Sequence, residues 1–494
     1  MLANPPWEKV KVERHDFYQR FIPSLKRITS AAQREARIRS VDDREPEVKA
    51  RYEEEVRRMA GLKPYLHASA GNYRHHGGGD PDLFKAFAER FSHVCRQQGA
   101  IGCVLPRAFA VGLSTHALRR EYFLNWTVRS LDMVWNQRRW VFPGINDRVQ
   151  CVLLAATKAA PSEPEIASAG PLNNPNRFAR AAELRVRYPL PLLQQWSSAL
   201  ELPSLPDPQA GEVFRAMLRH PRFDDDERAW RAVPYAELHA TGDSDLFNEE
   251  ATGWPVWKGG TFDRYLPDLT EPIYWAEPTP VLERLQAKRQ RSHRVFSGLP
   301  QTILRDPSTL PPTDCRVVFR DVVRATDRRT MKTCLAPPFV FAIHDAPQLV
   351  WLRGSERDML YVLSVLNSIC FDWLLRRRVE THVTFSILNS LPVPAGCRSV
   401  ERLADLAGRL SCPDERYADF AQRAGVAHGP LRLDERQNIE AEIDALAARA
   451  YGLDATQLRL ILRDFNEHAV SSAQRDRILS HHARADVAEA VQAV

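Results

Sequence analysis

Hydrophobic spacing in the first part of the chain predicts an alternation of helices and strands. Between Asp82 and Cys95, apolar residues recur at the spacing of one helical face, and Gly99 is placed to cap that helix. The apolar run Ile101 to Leu105 ends at Pro106, as a buried parallel strand would. A further apolar run, Val149 to Ala155, predicts a second core strand. This order of elements is typical of an α/β domain.

Other stretches of the chain favour helices. The segment Glu13 to Met59 is rich in Arg and Glu and poor in glycine, which predicts a helical insertion. Near the end of the chain, an apolar stripe predicts a closing helix that packs against the core and that Gly452 stops. The members of this stripe are Ile439, Ile443, Leu446, Ala447 and Ala450. The apolar stretch Met359 to Leu375 contains Asn367 and Asp372, so a buried helix is expected there and not a membrane span.

The composition is that of a folded protein with a mild basic excess. The chain has 494 residues, 44% hydrophobic and 26% charged, enough for two or three domains with cores. Lys and Arg number 68 against 62 Asp and Glu, and the resulting charge of +6 suits a polyanionic partner without identifying one. Eight cysteines without a C-x-x-C pair argue for free thiols and against a zinc site or disulfide framework, and no metal site is visible. With no apolar signal segment, these features predict a cytoplasmic protein without membrane contact.

The tetrapeptide Asn4-Pro5-Pro6-Trp7 places hydrogen-bond acceptors next to an aromatic side chain. An exocyclic amino group on a nucleic-acid base is a poor nucleophile, because its lone pair is delocalised into the ring. Acceptors that draw the nitrogen towards tetrahedral geometry activate it, and the Asn4 side chain and the Pro5 backbone carbonyl can be those acceptors. The two prolines stiffen the loop, and Trp7 offers a surface on which a base rotated out of the duplex can stack. An ordinary loop is the alternative interpretation.

Six further motifs follow the tetrapeptide along the chain. Together they are Asn-Pro-Pro-Trp-Glu-Lys-Val-Lys at 4 to 11, Gly-Asp-Pro-Asp-Leu-Phe at 79 to 84, Gly-Ala-Ile-Gly-Cys-Val-Leu-Pro at 99 to 106, Arg-Trp-Val-Phe-Pro at 139 to 143, Trp-Pro-Val-Trp-Lys-Gly at 254 to 259, Val-Phe-Arg-Asp-Val-Val-Arg-Ala-Thr at 318 to 326, and Leu-Asn-Ser-Ile-Cys-Phe-Asp-Trp-Leu-Leu-Arg at 366 to 376. In these motifs the chain resembles the C-terminal two-thirds of the large adenine-specific DNA methyltransferases of type II and type IIG restriction-modification systems and related phage-defence systems. The resemblance implies that Asn4, Pro5, Pro6 and Trp7 form the catalytic loop.

The resemblance also implies a second aromatic residue, a cofactor and a partner. Phe142 matches an aromatic position expected to pack against the other face of the flipped base, with simple core packing as the open alternative. The family binds S-adenosylmethionine with a glycine-rich loop between a strand and a helix, and this chain shows no such loop. The cofactor-binding residues are therefore unknown, and an upstream polypeptide is expected to carry them. Asp80 and Asp82 precede a predicted helix and are expected to cap it.

The region from 215 to 395 interleaves aromatic and basic residues, which favours contact with DNA phosphates and bases. Five arginines decorate the β-prone segment Val317 to Val323 and the loop after it, namely Arg316, Arg320, Arg324, Arg328 and Arg329. The residues predicted to contact DNA are Trp254, Trp257, Lys258, Arg289, Arg291, Arg320, Arg324 and Arg328. An aromatic core beside a solvated basic helix is the alternative for the tryptophans and the first arginines.

These observations predict an α/β protein made of successive regions. Residues 1–158 would be part of a Rossmann-like methyltransferase domain with a helical insertion at about 13–59, and 159–214 would be a proline-rich linker with connecting helices. An α+β target-recognition region would cover 215–395, and helices would cover 396–494. The predicted function is adenine-N6 methylation of double-stranded DNA. A non-catalytic DNA-binding specificity component and an inactive truncated remnant are the alternatives.

Overall fold

The computed structural model describes residues 1–66, 73–76, 81–296, 298–396 and 398–492, with the backbone alone at 293, 294 and 486–492. The chain divides into two compact units, Met1–Gly211 and Glu212–Val494. Both units combine helices and strands, so the chain has the α/β fold that its sequence predicts. Positions 79 and 80 of the second motif, including the expected capping residue Asp80, lie outside the described residues.

A four-stranded sheet forms the core of the first unit, in the order β1-β2-β4-β3. Its strands are β1 (Leu2–Ala3), β2 (Ala100–Pro106), β3 (Thr127–Trp135) and β4 (Gln150–Thr157). Strand β1 runs parallel to β2, and β4 is antiparallel to β2 and β3, so β1, β2 and β3 share one direction. A separate antiparallel pair joins β5 (Glu165–Ser168) and β6 (Val186–Pro189). The strands expected from the two apolar runs are confirmed as β2 and β4.

Helices pack around this sheet. They are α1 (Arg14–Gln19), α2 (Ala31–Arg44), α3 (Pro46–Leu66), α4 (Leu83–Val94), α5 (Ala108–Val111), α6 (His116–Asn125), α7 (Pro175–Ala179), α8 (Ala181–Leu184) and α9 (Leu190–Trp196), and α10 (Pro208–Leu218) leads into the second unit. Helices are confirmed at about 13–59 as α1 to α3, which enclose a small core of their own that includes Phe17, Tyr18 and Ile38.

Two expectations about α4 are corrected by its ends. The backbone of Cys95 is extended, so the helix ends at Val94, and Gly99 leads into β2 instead of capping α4. Asp82 occupies the N-cap position, but its side chain makes no capping hydrogen bond. That carboxylate lies 3.5 Å from Nζ of the buried Lys85, which competes with the helix N–H groups for it.

The expectation of a linker after β4 is also corrected, because this proline-rich passage packs into the first unit. Ala169 and Leu172 are fully buried against β3 and β4 residues. Arg185 forms an ion pair with Asp132 of β3, with Nη2 and Oδ2 2.8 Å apart. Buried contacts of this kind fix the passage in place.

The described strands of the second unit form two sheets, with the orders β11-β10-β13-β7 and β12-β8-β9. The strands are β7 (Arg231–Tyr235), β8 (Trp254–Trp257), β9 (Tyr274–Ala276), β10 (Arg316–Phe319), β11 (Thr333–Ala336), β12 (Phe341–Ala342) and β13 (Gln348–Arg353). The helices are α11 (Pro278–Arg291), α12 (His293–Phe296), α13 (Gln301–Arg305), α14 (Glu356–Leu366), α15 (Ile369–Leu375), α16 (Phe385–Ser390), α17 (Val400–Ser411), α18 (Ala418–Ala424), α19 (Leu433–Ala450), α20 (Ala455–Arg463) and α21 (Ser472–Gln492).

The apolar stretch from 359 to 375 forms two buried helices and not the single one expected. Helices α14 and α15 meet at an angle of 62°. The break falls at Ser368, whose backbone is extended and whose side chain caps α15. Next to it, the Asn367 side chain donates to Thr333 O at 2.9 Å and accepts from Thr333 N at 3.0 Å. Among the described helices, none alone has the length and apolar composition of a membrane span, whereas α14 and α15 taken together do. The closing helix α19 ends as expected before Gly452, whose φ is +72°.

Candidate active site and nucleic-acid interface

The Asn4 to Trp7 loop is held at both of its ends by backbone hydrogen bonds. Before it, β1 pairs with β2, with Leu2 opposite Gly102. After it, Glu8 O accepts from Leu83 N at 3.0 Å and Val10 N donates to Pro81 O at 2.7 Å. Because the loop leaves the carboxyl end of β1, it lies at the sheet edge where open α/β sheets bind their ligands.

The side chains of the loop differ in their surroundings. Pro5 is buried, Trp7 is half-buried, and Asn4 and Pro6 are exposed. The Asn4 carboxamide forms no hydrogen bond with any residue that the structure describes, so its oxygen is available to a ligand. A buried proline next to it limits backbone motion, which keeps this acceptor in one place.

Trp7 and Phe142 pack against the same buried cluster. Its members are Val134, Cys151, Ala169 and Leu172. Phe142 lies in the loop that follows β3, and Trp7 lies in the loop that follows β1. Since β1 and β3 run in the same direction, both loops leave the same edge of the sheet. The structure therefore brings the two predicted base-stacking residues to one place, and both are half-buried.

The Asn136 side chain fixes the conformation of the loop that contains Phe142, a role that no feature of the sequence indicated. This side chain is 2% exposed. Its Nδ2 donates to Phe142 O at 3.0 Å, Ile145 O at 3.2 Å and Asn146 O at 3.3 Å. Its Oδ1 accepts from Val141 N at 3.2 Å and from Phe142 N at 2.9 Å. A lone asparagine after a strand carries no sequence signal for this role, because its partners lie five to ten residues further on.

A shallow concavity of about 620 Å³ extends from Asn4 across the sheet. Its lining is mainly apolar, with Leu2, Val104 and Leu153 among its members. Asp132 is the only carboxylate in the lining, and both of its oxygens accept from Arg185, at 3.1 and 2.8 Å. Sites for nucleoside cofactors typically bind the ribose hydroxyls with a free carboxylate, and the described residues of this lining offer none, so they do not fit S-adenosylmethionine.

Two cysteines in the sheet beside the loop are inert. Cys103 and Cys151 are both buried, and burial raises the pKa of each thiol to about 11. Both therefore remain protonated at neutral pH, and neither is a nucleophile. Among the residues that the structure describes, no group of three His, Cys, Asp or Glu side chains is placed to hold a metal ion.

Burial contradicts the predicted DNA contact of two residues in the second unit. Trp257 is fully buried, and its ring stacks on that of Phe262 at 5.8 Å. Arg289 is 3% exposed. Its guanidinium donates to Asp306 O and Gln286 Oε1, both at 2.7 Å, and so fastens α11 to the turn that follows α13. Each side chain has a packing role instead of a DNA contact.

Four others occupy intermediate or exposed positions. Trp254 is half-buried, and its ring lies 5.0 Å from that of Phe341. Lys258 is half-buried, and Arg291 is exposed. Arg320 is half-buried and donates to Phe262 O at 2.6 Å, which restrains its guanidinium. The structure leaves these residues as candidates for DNA contact.

Four further arginines, in β10 and in the turn after it, fall into two classes. Arg316 and Arg329 are buried, with Arg316 Nη2 3.1 Å from Glu237 Oε2 and Arg329 Nε 2.7 Å from Asp372 Oδ2. Arg324 and Arg328 are exposed. Neither of these two side chains forms a hydrogen bond or ion pair with a described residue. Only the second class can contact a polyanion.

No protein-family model matches the chain, and no curated protein matches it. Among solved structures, the type IIL restriction-modification enzyme MmeI in complex with DNA is similar, at 10% identity and a TM-score of 0.40, over 79% of this chain and 52% of that chain. The type IIG restriction endonuclease BpuSI is 12% identical with a TM-score of 0.31, over 81% of this chain and 51% of its own. A nuclease-deletion mutant of the type ISP restriction-modification enzyme LlaGI, in complex with a DNA substrate mimic, is 9% identical with a TM-score of 0.33, over 82% and 40%. The chain spans about half or less of the length of these proteins, and a likeness of this degree identifies no activity.

Proposed function

We propose that this chain is part of a site-specific DNA methyltransferase that modifies N6 of adenine within a restriction-modification or phage-defence system. One observation carries the proposal. The Asn4 carboxamide, free of hydrogen bonds to described residues, lies in a loop anchored at both ends at the carboxyl edge of a sheet, and two half-buried aromatic residues pack on one cluster there.

Asn4 and Pro5 would act on the adenine amino group. Its two N–H bonds would donate to Asn4 Oδ1 and to the Pro5 backbone oxygen. These acceptors favour a nitrogen whose lone pair has left the ring system, and they stabilise the positive charge that develops as a new N–C bond forms. Since that charge is absent in the ground state, the interaction speeds the reaction more than it tightens binding.

Trp7 and Phe142 would hold the adenine outside the helix. A duplex base must leave its stack before an enzyme can reach the amino nitrogen, and aromatic contacts in the pocket compensate for the lost stacking. Asn136 fixes the backbone of Phe142 on both sides, so the aromatic ring is positioned before DNA arrives.

S-adenosylmethionine would supply the methyl group. We propose that another polypeptide holds this cofactor beside β1. The described residues do not fit the cofactor, and Asp132 is engaged by Arg185. Strand β1 pairs only with β2 among the described strands, and Leu2 within β1 is 90% exposed. An unpaired strand edge with an exposed apolar side chain is suited to receive a further segment of sheet.

The test is co-expression of this chain with the polypeptide encoded directly upstream, in a host whose own DNA adenine methylation has been removed. Genomic DNA is digested to nucleosides and analysed by mass spectrometry. We expect N6-methyladenine only when both polypeptides are present. Methylated cytosine in its place would contradict the choice of adenine. DNA binding by the pair without any methylated base would favour a non-catalytic specificity component, for which the poor fit to the cofactor is the present support.

A further inference from the structure

Two segments of the second unit form a short, exposed β ribbon. Residues 321–323 pair antiparallel with residues 381–383, with Val322 opposite His382. Val323 N donates to Thr381 O at 3.1 Å, and Val383 N donates to Asp321 O at 2.9 Å. We call these six residues the 321/381 ribbon.

The 321/381 ribbon presents a defined outer face. Val323 and Val383 are 2% and 0% exposed, so the inner face is packed into the core. On the outer face, Val322 is 55% exposed, and the side chain of His382 is 50% exposed. His382 Nδ1 lies 2.8 Å from Asp321 Oδ2, which holds the imidazole ring in place. An exposed valine in an ordered ribbon has no packing role within this unit.

The turn after the ribbon is held rigidly and points two cations outward. The Arg376 guanidinium donates to Asp327 O at 2.6 Å and to Arg328 O at 2.9 Å. Arg329, which is buried, donates to Asn367 O at 2.6 Å. Two arginines thus fix the backbone of the turn, whereas Arg324 and Arg328 extend from it without a side-chain partner among the described residues.

An ordered two-stranded ribbon with an exposed valine, an exposed histidine and two arginines in the following turn has properties that suit the major groove of B-DNA. That groove admits a two-stranded β ribbon, and its base pairs present both hydrogen-bonding edges and the thymine methyl group. The two arginines of the turn after the ribbon can neutralise phosphates, which sets the position of the ribbon without selecting a sequence. A ribbon that is ordered before binding loses little conformational entropy on binding.

We propose that the 321/381 ribbon enters the DNA major groove and selects the target sequence through Val322 and His382, while Arg324 and Arg328 bind phosphates beside it. The inference rests on the proposed function, and it adds the element and the side chains that determine the site. The isopropyl group of Val322 suits contact with a thymine methyl group. The exposed nitrogen of His382 suits a hydrogen bond to a purine edge.

The test is selection of preferred sequences from a pool of random DNA duplexes by the purified full chain. Val322→Ala and His382→Ala are each expected to relax the selected motif at one or two positions and to lower affinity for the wild-type motif about tenfold, as the loss of a single base contact does. Arg324→Ala and Arg328→Ala are expected to leave the motif unchanged, to weaken binding to all sequences, and to lower the salt dependence of the binding constant by about one ion each.

Controls separate recognition from folding. Leu433→Ala and Arg459→Ala remove an exposed apolar and an exposed basic side chain elsewhere in the unit and should change neither motif nor affinity. Val322→Thr keeps the shape of the ribbon and should still alter the motif, and thermal unfolding checks that each variant is folded. A wild-type motif selected with wild-type affinity by the Val322 and His382 variants would overturn the inference while leaving the proposed function intact. Failure of the wild-type chain to enrich any motif would contradict sequence recognition by this chain altogether.

Discussion

Adjacent arginines in this protein have opposite roles, which only their surroundings distinguish. Arg328 is exposed, and Arg329 is buried beside Asp372 and Asp444. The sequence grouped the two as equivalent phosphate ligands. It could not separate them, because the carboxylates that bind Arg329 lie 43 and 115 residues further along the chain.

The stability of variants should reveal this difference. We expect Arg329→Ala to lower the free energy of unfolding by about 2 to 4 kcal/mol, because it removes a buried cation from Asp372 and Asp444, although Arg376 still pairs with Asp372. Arg328→Ala should change it by less than about 0.5 kcal/mol. Urea unfolding of the two variants measures both values, and similar losses for both would contradict the assignment.

Phe142 and Asn136 should act together on an extrahelical base. The probe is a duplex with 2-aminopurine opposite an abasic position, where base flipping costs little. Phe142→Ala should weaken the fluorescence-detected binding of that base by roughly 5- to 100-fold, since one stacking contact is worth about 1 to 3 kcal/mol. Asn136→Ala should give a similar loss with the aromatic ring still present.

Phe87→Ala is the matched control for these variants, because it removes an aromatic side chain that is 42% exposed on α4 of the same unit. It should bind the probe like the wild type. Normal binding by Phe142→Ala would instead show that this residue is part of the core, the alternative that its sequence left open.

At the scale of elements, strong hydrophobic patterns were predictive and interrupted ones were not. The runs at β2 and β4 are continuously apolar and were recognised. Strand β3 was not expected, because Arg129, Ser130 and Asp132 interrupt its pattern. The tryptophans of β8 show a related limit. Trp254 and Trp257 look equivalent in sequence, yet only Trp257 is fully buried, because the packing of β12 decides which face is covered.

Asn367 lies at the break between α14 and α15 and is fully buried. Asn367 satisfies both the N–H and the C=O of Thr333 inside the core. Asn367→Leu should therefore cost about 1 to 3 kcal/mol of unfolding free energy, since it leaves the buried N–H of Thr333 without a partner, whereas Thr333 O still accepts from Tyr265 N. Chemical denaturation measures this cost. A loss below about 0.5 kcal/mol, a value typical of surface sites, would show that the hydrogen bonds between Asn367 and Thr333 do not stabilise the fold.

For the molecule as a whole, the division into two units determines which segment can be exchanged with that of a homologue to give a folded chimera. The target-recognition region was expected to end at 395, but Asp444 accepts from Ile369 N at 2.7 Å and lies 3.8 Å from Arg329. Exchange of 215–395 alone should therefore break a buried charge cluster and produce insoluble protein. The sequence could not indicate this coupling, because α19 shows only its apolar stripe.

Exchange of the complete second unit, 212–494, with that of a homologue of different specificity should keep the protein folded and should change the methylated site. The site is mapped by sequencing genomic DNA from cells that also express the upstream polypeptide. A chimera that keeps the original site would place sequence selection in the first unit and contradict the role proposed for the second.

The central claim is that Asn4 activates the adenine amino group, and methyl transfer by the reconstituted enzyme tests it most directly. Radiolabelled methyl incorporation into duplex DNA is compared for the wild type, Asn4→Ala and the control Glu8→Ala, each with the upstream polypeptide. We expect Asn4→Ala to lower turnover at least about a hundredfold, as loss of one transition-state hydrogen bond can, with DNA affinity within a few fold of the wild type. Glu8→Ala should remain active. Turnover by Asn4→Ala above about a tenth of the wild-type rate, a loss of less than about 1.4 kcal/mol, would contradict the role of Asn4.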